Sequence, residues 1–313
     1  MTQSLLSIII PAFNEADNIA LIYNALSEQL NDTGYKYELL YIDDGSADET
    51  LKNIQHLAAQ HEQVKYVSFT RNFGKESAIL AGLQHAKGEA TIIIDADLQH
   101  PSMLLPEMIK GYEEGYDQVL AQRDRKGESR MRAAFSDLYY SIMNKLADVD
   151  LQNGVGDFRL LSRRAVQAVL SLSEGNRFSK GIFSWIGFQH KVVFYENVER
   201  QEGESKWSFA KLLNYGIEGL VSFNHKPLRI CLYTGLLVLL LSIFYITITF
   251  IQILQHGIDV PGYFTTISAV LFLGGVQLLS LGVIGEYIGR IYYESKQRPH
   301  YLVQESNTSR SQA

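Results

Sequence analysis

Cysteine is nearly absent from this 313-residue chain, and the single Cys231 excludes an internal disulfide. It opens an apolar run, where a free thiol behaves as a small buried hydrophobe. Basic charge is not in excess. With 28 Lys and Arg against 34 Asp and Glu the formal net charge is -6, so nothing global points to a nucleic-acid binder. The first apolar run, Leu5–Ile10, has no basic segment before it and is cut short by Pro11–Glu15, which argues against a secretory signal. The glycosylation patterns Asn31-Asp32-Thr33 and Asn307-Thr308-Ser309 are accordingly read as accidental. No Gly-x-Gly-x-x-Gly turn follows that run, and no Gly-Lys-Ser/Thr phosphate loop occurs. The two commonest nucleotide-binding loops are thereby removed, and with them a dehydrogenase.

What is present is an alternation. Strand-length runs at Leu5–Ile10, Tyr37–Ile42, Lys65–Phe69, Ala90–Ile94 and Gln118–Ala121 are separated by helical stretches near Asp17–Leu30, Asp48–Gln60, Lys75–His85 and Pro101–Glu114. The expected fold is an open α/β sheet with buried parallel strands. Ser46 and Glu49 are spaced as a capping box for the second helix. Further helices are expected near Glu128–Leu146 and Arg163–Leu172, with a β-prone stretch at Gly187–Glu196.

The last third is a different material. Trp207–Phe223 places Trp207, Ala210, Leu213, Ile217 and Leu220 on one helical side, as an interfacial helix would. Leu228–Leu254 and Tyr263–Ile288 are each long enough to cross a hydrocarbon core. Lys226 and Arg229 precede this pair and Arg290, Lys296 and Arg298 follow it, whereas the link 255–262 has no Lys or Arg. Two transmembrane helices with both termini cytoplasmic are expected. Gly285 and Gly289 fit a small-xxx-small packing pattern. The expected domains are residues 1–205 (catalytic), 206–227 (amphipathic, juxtamembrane), 228–289 (transmembrane hairpin) and 290–313 (a partly disordered cytoplasmic tail).

Ligands of open α/β sheets bind beyond the carboxyl ends of the strands, where the polar residues of this chain gather. Asp95 and Asp97 follow an Ile-rich run, and in extended geometry their carboxylates project to one face while Ala96 points away. Together they suit one Mg²⁺ or Mn²⁺ whose coordination a nucleotide diphosphate would complete. Asp43 and Asp44 end another strand.

Five ordered motifs, Pro11–Glu15, Asp43–Ser46, Asp95–Gln99, Gly156–Arg159 and Arg200–Lys206, resemble family 2 glycosyltransferases of the GT-A fold. More narrowly they resemble the polyprenyl-phosphate glycosyltransferases, including dolichyl-phosphate mannose synthase and the GtrB-type bacterial enzymes. The likeness runs from Leu5 to about Arg298.

The resemblance implies a membrane enzyme of the inner, cytoplasmic membrane, multi-pass, with its catalytic domain in the cytoplasm, forming a homo-oligomer, a tetramer in the family. It would transfer a hexose with inversion from a nucleotide sugar to polyprenyl (undecaprenyl) phosphate for cell-envelope glycosylation. UDP-glucose is the first choice of donor; UDP-N-acetylglucosamine, UDP-galactose and GDP-mannose stay open. Pro11, Ala12, Glu15, Asp43, Asp44, Lys75, Asp95, Ala96 and Asp97 would bind the nucleotide sugar, and Asp95, Asp97 and Gln99 the metal. Asp157 would act at the acceptor as base or positioning group, with Arg200 and Lys206 closing over the phosphates. Arg123, Arg125, Arg132 and Ser205 would hold the acceptor phosphate.

A processive polysaccharide synthase is disfavoured by the absence of a Gln-x-x-Arg-Trp sequence and by only two spans. A non-catalytic nucleotide-sugar-binding scaffold is disfavoured by the intact acidic motifs.

Overall fold

A computed structural model describes residues 4–123, 155–172, 174–175, 177–195 and 262–309, with scattered positions from 233 to 255. The alternation in the sequence becomes β1 (Leu5–Ala12), α1 (Ile19–Asn31), β2 (Lys36–Asp43), α2 (Thr50–Gln60), β3 (Val64–Phe69), α3 (Lys75–His85) and β4 (Ala90–Ile93). A 3₁₀ turn at Ser102–Leu104 leads into α4 (Leu105–Glu113), followed by β5 (Gln118–Arg123), β6 (Val155–Ser162), α5 (Arg163–Ser171), α6 (Ser179–Trp185) and β7 (His190–Tyr195). After these come α7 (Tyr263–Ser295) and β8 (Val303–Ser306).

All eight strands form one sheet in the order β7-β5-β6-β4-β1-β2-β3-β8. Its central run β4-β1-β2-β3 is parallel. Ile8, Ile9 and Ile10 of β1 are fully buried, as a strand covered on both faces requires. Each such side chain contributes about 1.5–3 kcal/mol by leaving water. One layer of the cover is α3, whose Gly82 lies so close to β1 that a Cβ there would sit 2.3 Å from Ile9 Cγ2.

The structure departs from the sequence reading at four places. An antiparallel strand that the sequence reading did not anticipate, β6, lies between β4 and β5. The sequence hid β6 because Gly156, Asp157 and Arg159 break its apolar pattern. Within the segment expected as a partly disordered tail, Val303–Ser306 form β8, which pairs antiparallel with β3. Third, Ser46 is no cap, since Glu49 takes the N-cap position of α2 without a side-chain bond and Ser46 Oγ accepts Asn14 N–H at 3.0 Å instead. Lastly, Asp95–Asp97 is not extended. The ladder ends where Ile94 N–H reaches Ile9 O, and the chain then turns through Leu98 at φ 58.

The chain divides into two compact units, Met1–Gly219 with Arg298–Ala313, and Leu220–Gln297. In the second, Phe272–Ser295 of α7 is long and apolar enough to cross a membrane, with mean hydropathy 1.4 and none of it buried. A Cβ at Gly285 or Gly289 would meet nothing within 4 Å. The expected interfacial segment 207–223 and helix 128–146 lie outside the described residues. So does most of the expected first span, 228–254; its described positions are helical.

Candidate active site

Two loops at the carboxyl ends of β1 and β2 are bound into one wall. Asn14, in the left-handed region at φ 54, donates its N–H to Ser46 Oγ, and its Oδ1 accepts Ala47 N–H at 2.9 Å. Glu15 N–H reaches Thr50 Oγ1 at 2.8 Å. Asp43 is buried, its oxygens accepting Ser46 N–H at 3.1 Å and Ser68 Oγ–H at 2.7 Å. Gly45 (φ 67) must be glycine: a Cβ would fall 2.3 Å from the backbone carbon of Arg71. Asp44 accepts the amides of Phe73 (2.6 Å) and Gly74 (2.9 Å), tying this wall to the start of α3. Burial pushes the Asp44 carboxyl up even though both amides favour its charge.

The loops enclose a cleft of about 300 Å³. Pro11, Ala12, Glu15, Asp44, Lys75, Asp95, Ala96 and Asp97 line it, together with Phe13, Asn72, Gly74 and Ala78. Asp43 stands behind the wall, where its two bonds brace the loop. Ala96 faces the cleft rather than away from it, a consequence of the turn.

At one end of the cleft the ligand atoms of Asp95, Asp97 and His100 lie within 4.8 Å of one another. His100 Nδ1 is 4.0 Å from Asp95 Oδ2, is buried, and has no hydrogen-bond partner among the described residues. Its ring rests against Phe158 (5.1 Å between centroids) and Tyr195 (6.2 Å). Burial lowers the His100 pKa, outweighing the pull of Asp95 and Asp97, so it presents a neutral nitrogen. Two carboxylates and a neutral imidazole make a donor set that fits a divalent cation. Gln99 lends its backbone N–H to Asp97 Oδ1 at 3.1 Å, bracing that carboxylate.

Lys75, the first residue of α3, links this cluster to β6. Its Nζ lies 2.6 Å from Asp95 Oδ1, 2.8 Å from Asp95 Oδ2 and 2.8 Å from Asp157 Oδ2. Burial works against the ammonium, but Asp157 and Asp95 together raise its pKa. Burial likewise opposes the Asp157 carboxylate, yet Lys75, Lys180 and Arg159 hold it down at about 2. Arg159 is buried, its guanidinium 4.1 Å from the centroid of Phe183, and it donates to Gly156 O at 2.6 Å. Glu76 accepts both the N–H and the hydroxyl of Ser179, pinning the start of α6, which carries Lys180.

The structure therefore gathers eight of the nine expected donor residues around one cleft, with Asp157 across Lys75. Arg123 ends β5 opposite Tyr195 in the register of β7, while Arg125, Arg132, Arg200, Ser205 and Lys206 lie outside the described residues. Sequence reasoning missed His100, Glu76, Arg159 and Lys180. His100 had a legible signal, standing three residues beyond Asp97; Glu76 and Lys180 had none.

Residues 7–170 match Glycosyl transferase family 2, and residues 226–291 match the GtrB C-terminal hairpin. The chain belongs to glycosyl transferase family 2 and is a glycosyltransferase. It is 66% identical over 307 residues to the putative glycosyltransferase CsbB of Bacillus subtilis, covering 98% of this chain and 93% of that one. It is 44% identical over 299 residues to the bactoprenol glucosyl transferase of Shigella phage SfV, covering 95% and 97%. Among solved structures it is similar to glucosyl-3-phosphoglycerate synthase from Mycobacterium tuberculosis, at TM-score 0.46 and 20% identity, covering 70% and 79%.

Proposed function

We propose that this glycosyltransferase moves a hexose, glucose before the alternatives, from a UDP-sugar to polyprenyl phosphate at the cytoplasmic face of a membrane. The acceptor reading draws support from the bactoprenol glucosyl transferase relative and the GtrB hairpin match. The membrane reading draws on the unburied apolar stretch Phe272–Ser295. The observation that supports the chemistry is that Lys75 bridges Asp95 and Asp157 at the cleft; in this reading Asp157 is the acceptor-side carboxylate.

In this reading Pro11, Ala12, Glu15 and Asp44 hold the nucleoside. Asp95 and Asp97, with Gln99 and His100, would hold Mg²⁺ or Mn²⁺, which would supply positive charge against the departing diphosphate. A lipid phosphate oxygen attacks the anomeric carbon; the bond from that carbon to the diphosphate breaks, and its electron pair leaves with the nucleoside diphosphate, inverting the configuration. The attacking phosphate is already anionic and yields no proton. A carboxyl held at about 2 is a weak base at neutral pH, so Asp157 orients rather than deprotonates. Arg123, Arg125, Arg132, Arg200, Ser205 and Lys206 would grip the acceptor phosphate and close over the diphosphate.

The test is incubation of the full chain in nanodiscs with undecaprenyl phosphate, Mg²⁺ or Mn²⁺, and UDP-glucose, UDP-N-acetylglucosamine, UDP-galactose or GDP-mannose in turn. A lipid product heavier by one hexose with UDP-glucose is expected. No product with any donor, or a product that keeps the donor's anomeric configuration, overturns the reading.

A further inference from the structure

We propose that Lys75 is an internal counter-cation that competes with the divalent ion for Asp95, so that the ion enters with the nucleotide rather than alone. The inference rests on the reading of Asp95 and Asp97 as the cation-holding pair and goes beyond it.

The geometry is specific to one carboxylate. Both oxygens of Asp95 lie within 2.8 Å of Lys75 Nζ, so the ammonium covers the lone pairs that an ion would use. A Mg²⁺ or Mn²⁺ needs such an oxygen at roughly 2.1 Å. An ammonium on the same carboxylate would then stand a few ångströms from a doubly charged ion, a separation well inside the screening length at which like charges repel even in a partly exposed site. Lys75 has somewhere else to go. Its flexible four-carbon stem leaves α3 at the first residue, and Asp157 Oδ2 already holds the ammonium at 2.8 Å. The ion displaces Lys75 from Asp95 while Asp157 retains it.

The consequence is an order of events. Without donor, the charges of Asp95, Asp97 and Asp157 are partly offset by Lys75, and a free ion gains little by entering. A nucleotide diphosphate brings further negative charge, which offers the displaced ammonium a new partner and the ion its remaining oxygens. Lys75 thus positions the ion and diphosphate by making each favour the other, a coupling that must be reciprocal.

The experiment measures Mn²⁺ binding to the full chain in detergent by loss of the free-ion paramagnetic resonance signal, with and without UDP. Lys75→Met is expected to bind Mn²⁺ about tenfold more tightly than the wild type in the absence of nucleotide, through removal of one competing unit charge. UDP should then tighten binding less than it does in the wild type. Lys75→Arg, which keeps the charge, should stay near wild type. Should Lys75→Met not fold, Lys75→Gln keeps a hydrogen-bonding side chain without the charge and carries the same expectation. A folded neutral variant whose donor-free Mn²⁺ affinity equals or falls below that of the wild type, or that shows no saturable Mn²⁺ binding, overturns the proposal. The readout uses neither sugar nor lipid, so failure of sugar transfer to polyprenyl phosphate leaves it standing, and its failure leaves transfer intact.

Discussion

The ring of Tyr301 is stacked on that of Phe69, 4.7 Å between centroids, and Phe69 in turn meets Phe73 edge-on at 5.8 Å. Phe73 is the residue whose amide Asp44 accepts. A residue beyond α7 therefore completes the packing behind the cleft, helped by Thr70 N–H on Leu302 O and by Tyr301 Oη–H on Gln84 at 2.6 Å.

Tyr301→Ala should consequently destabilise the catalytic unit by about 3 kcal/mol, as removal of a buried aromatic does. It should also weaken UDP binding through the loosened Phe73 amide. Tyr301→Phe, which loses the bond to Gln84, should cost about 1 kcal/mol and leave UDP affinity unchanged. Thermal melting and UDP titration of the two variants check both statements.

Gly45→Ala should act locally. The residue sits at φ 67 with the Arg71 backbone where a Cβ would be, and relief requires the second wall loop to move. A strain of roughly 1–3 kcal/mol is expected, together with a rise in KM for the donor that exceeds any fall in kcat. Steady-state kinetics with varied nucleotide sugar would show it, and an unchanged KM would contradict the packing described.

The pH dependence has a defined sign. Asp157 is held at about 2, below its ordinary value near 3.8. Its stabilising contribution is therefore fully present above pH ~4 and lost as pH falls through about 2, on the order of 2 kcal/mol in total. Between pH 5 and 8 it stays charged. Asp157→Asn should lower kcat without moving either limb of the pH–rate profile over that range; a limb that disappears in the variant would make Asp157 a titrating base.

His100→Ala should weaken Mn²⁺ binding in the presence of UDP by about tenfold and Mg²⁺ binding by less, because an imidazole nitrogen suits Mn²⁺ better than the oxygen-seeking Mg²⁺. Equal losses for the two ions would place His100 outside the coordination sphere. Titration of each ion against the variant decides between them.

How far the sequence could be read follows from where information is local. The central strands and α1 to α3 were legible because Ile-rich runs and helical periodicity are properties of short windows, and the expected Lys75–His85 agrees with α3 to the residue. The polar wall of the cleft was legible as motifs because strand-end loops converge on one edge in this kind of sheet. β6 was not, since Gly156, Asp157 and Arg159 interrupt the apolar pattern of that strand. Nor was β8, four half-polar residues whose partners, Val67 to Phe69, lie more than 230 positions earlier.

By itself the sequence determined the parallel core of the sheet, the collection of acidic residues at its edge and the presence of apolar stretches of membrane-crossing length, all consequences of composition and period within a few turns of chain. Only the tertiary structure decided that β6 would run antiparallel between β4 and β5. It alone placed Lys75 between Asp95 and Asp157, turned His100 toward the carboxylate pair, and set Tyr301 behind the cleft. Each of these is a contact between segments far apart in the chain, formed because burying their apolar faces and pairing their charges outweighs the entropy of bringing them together.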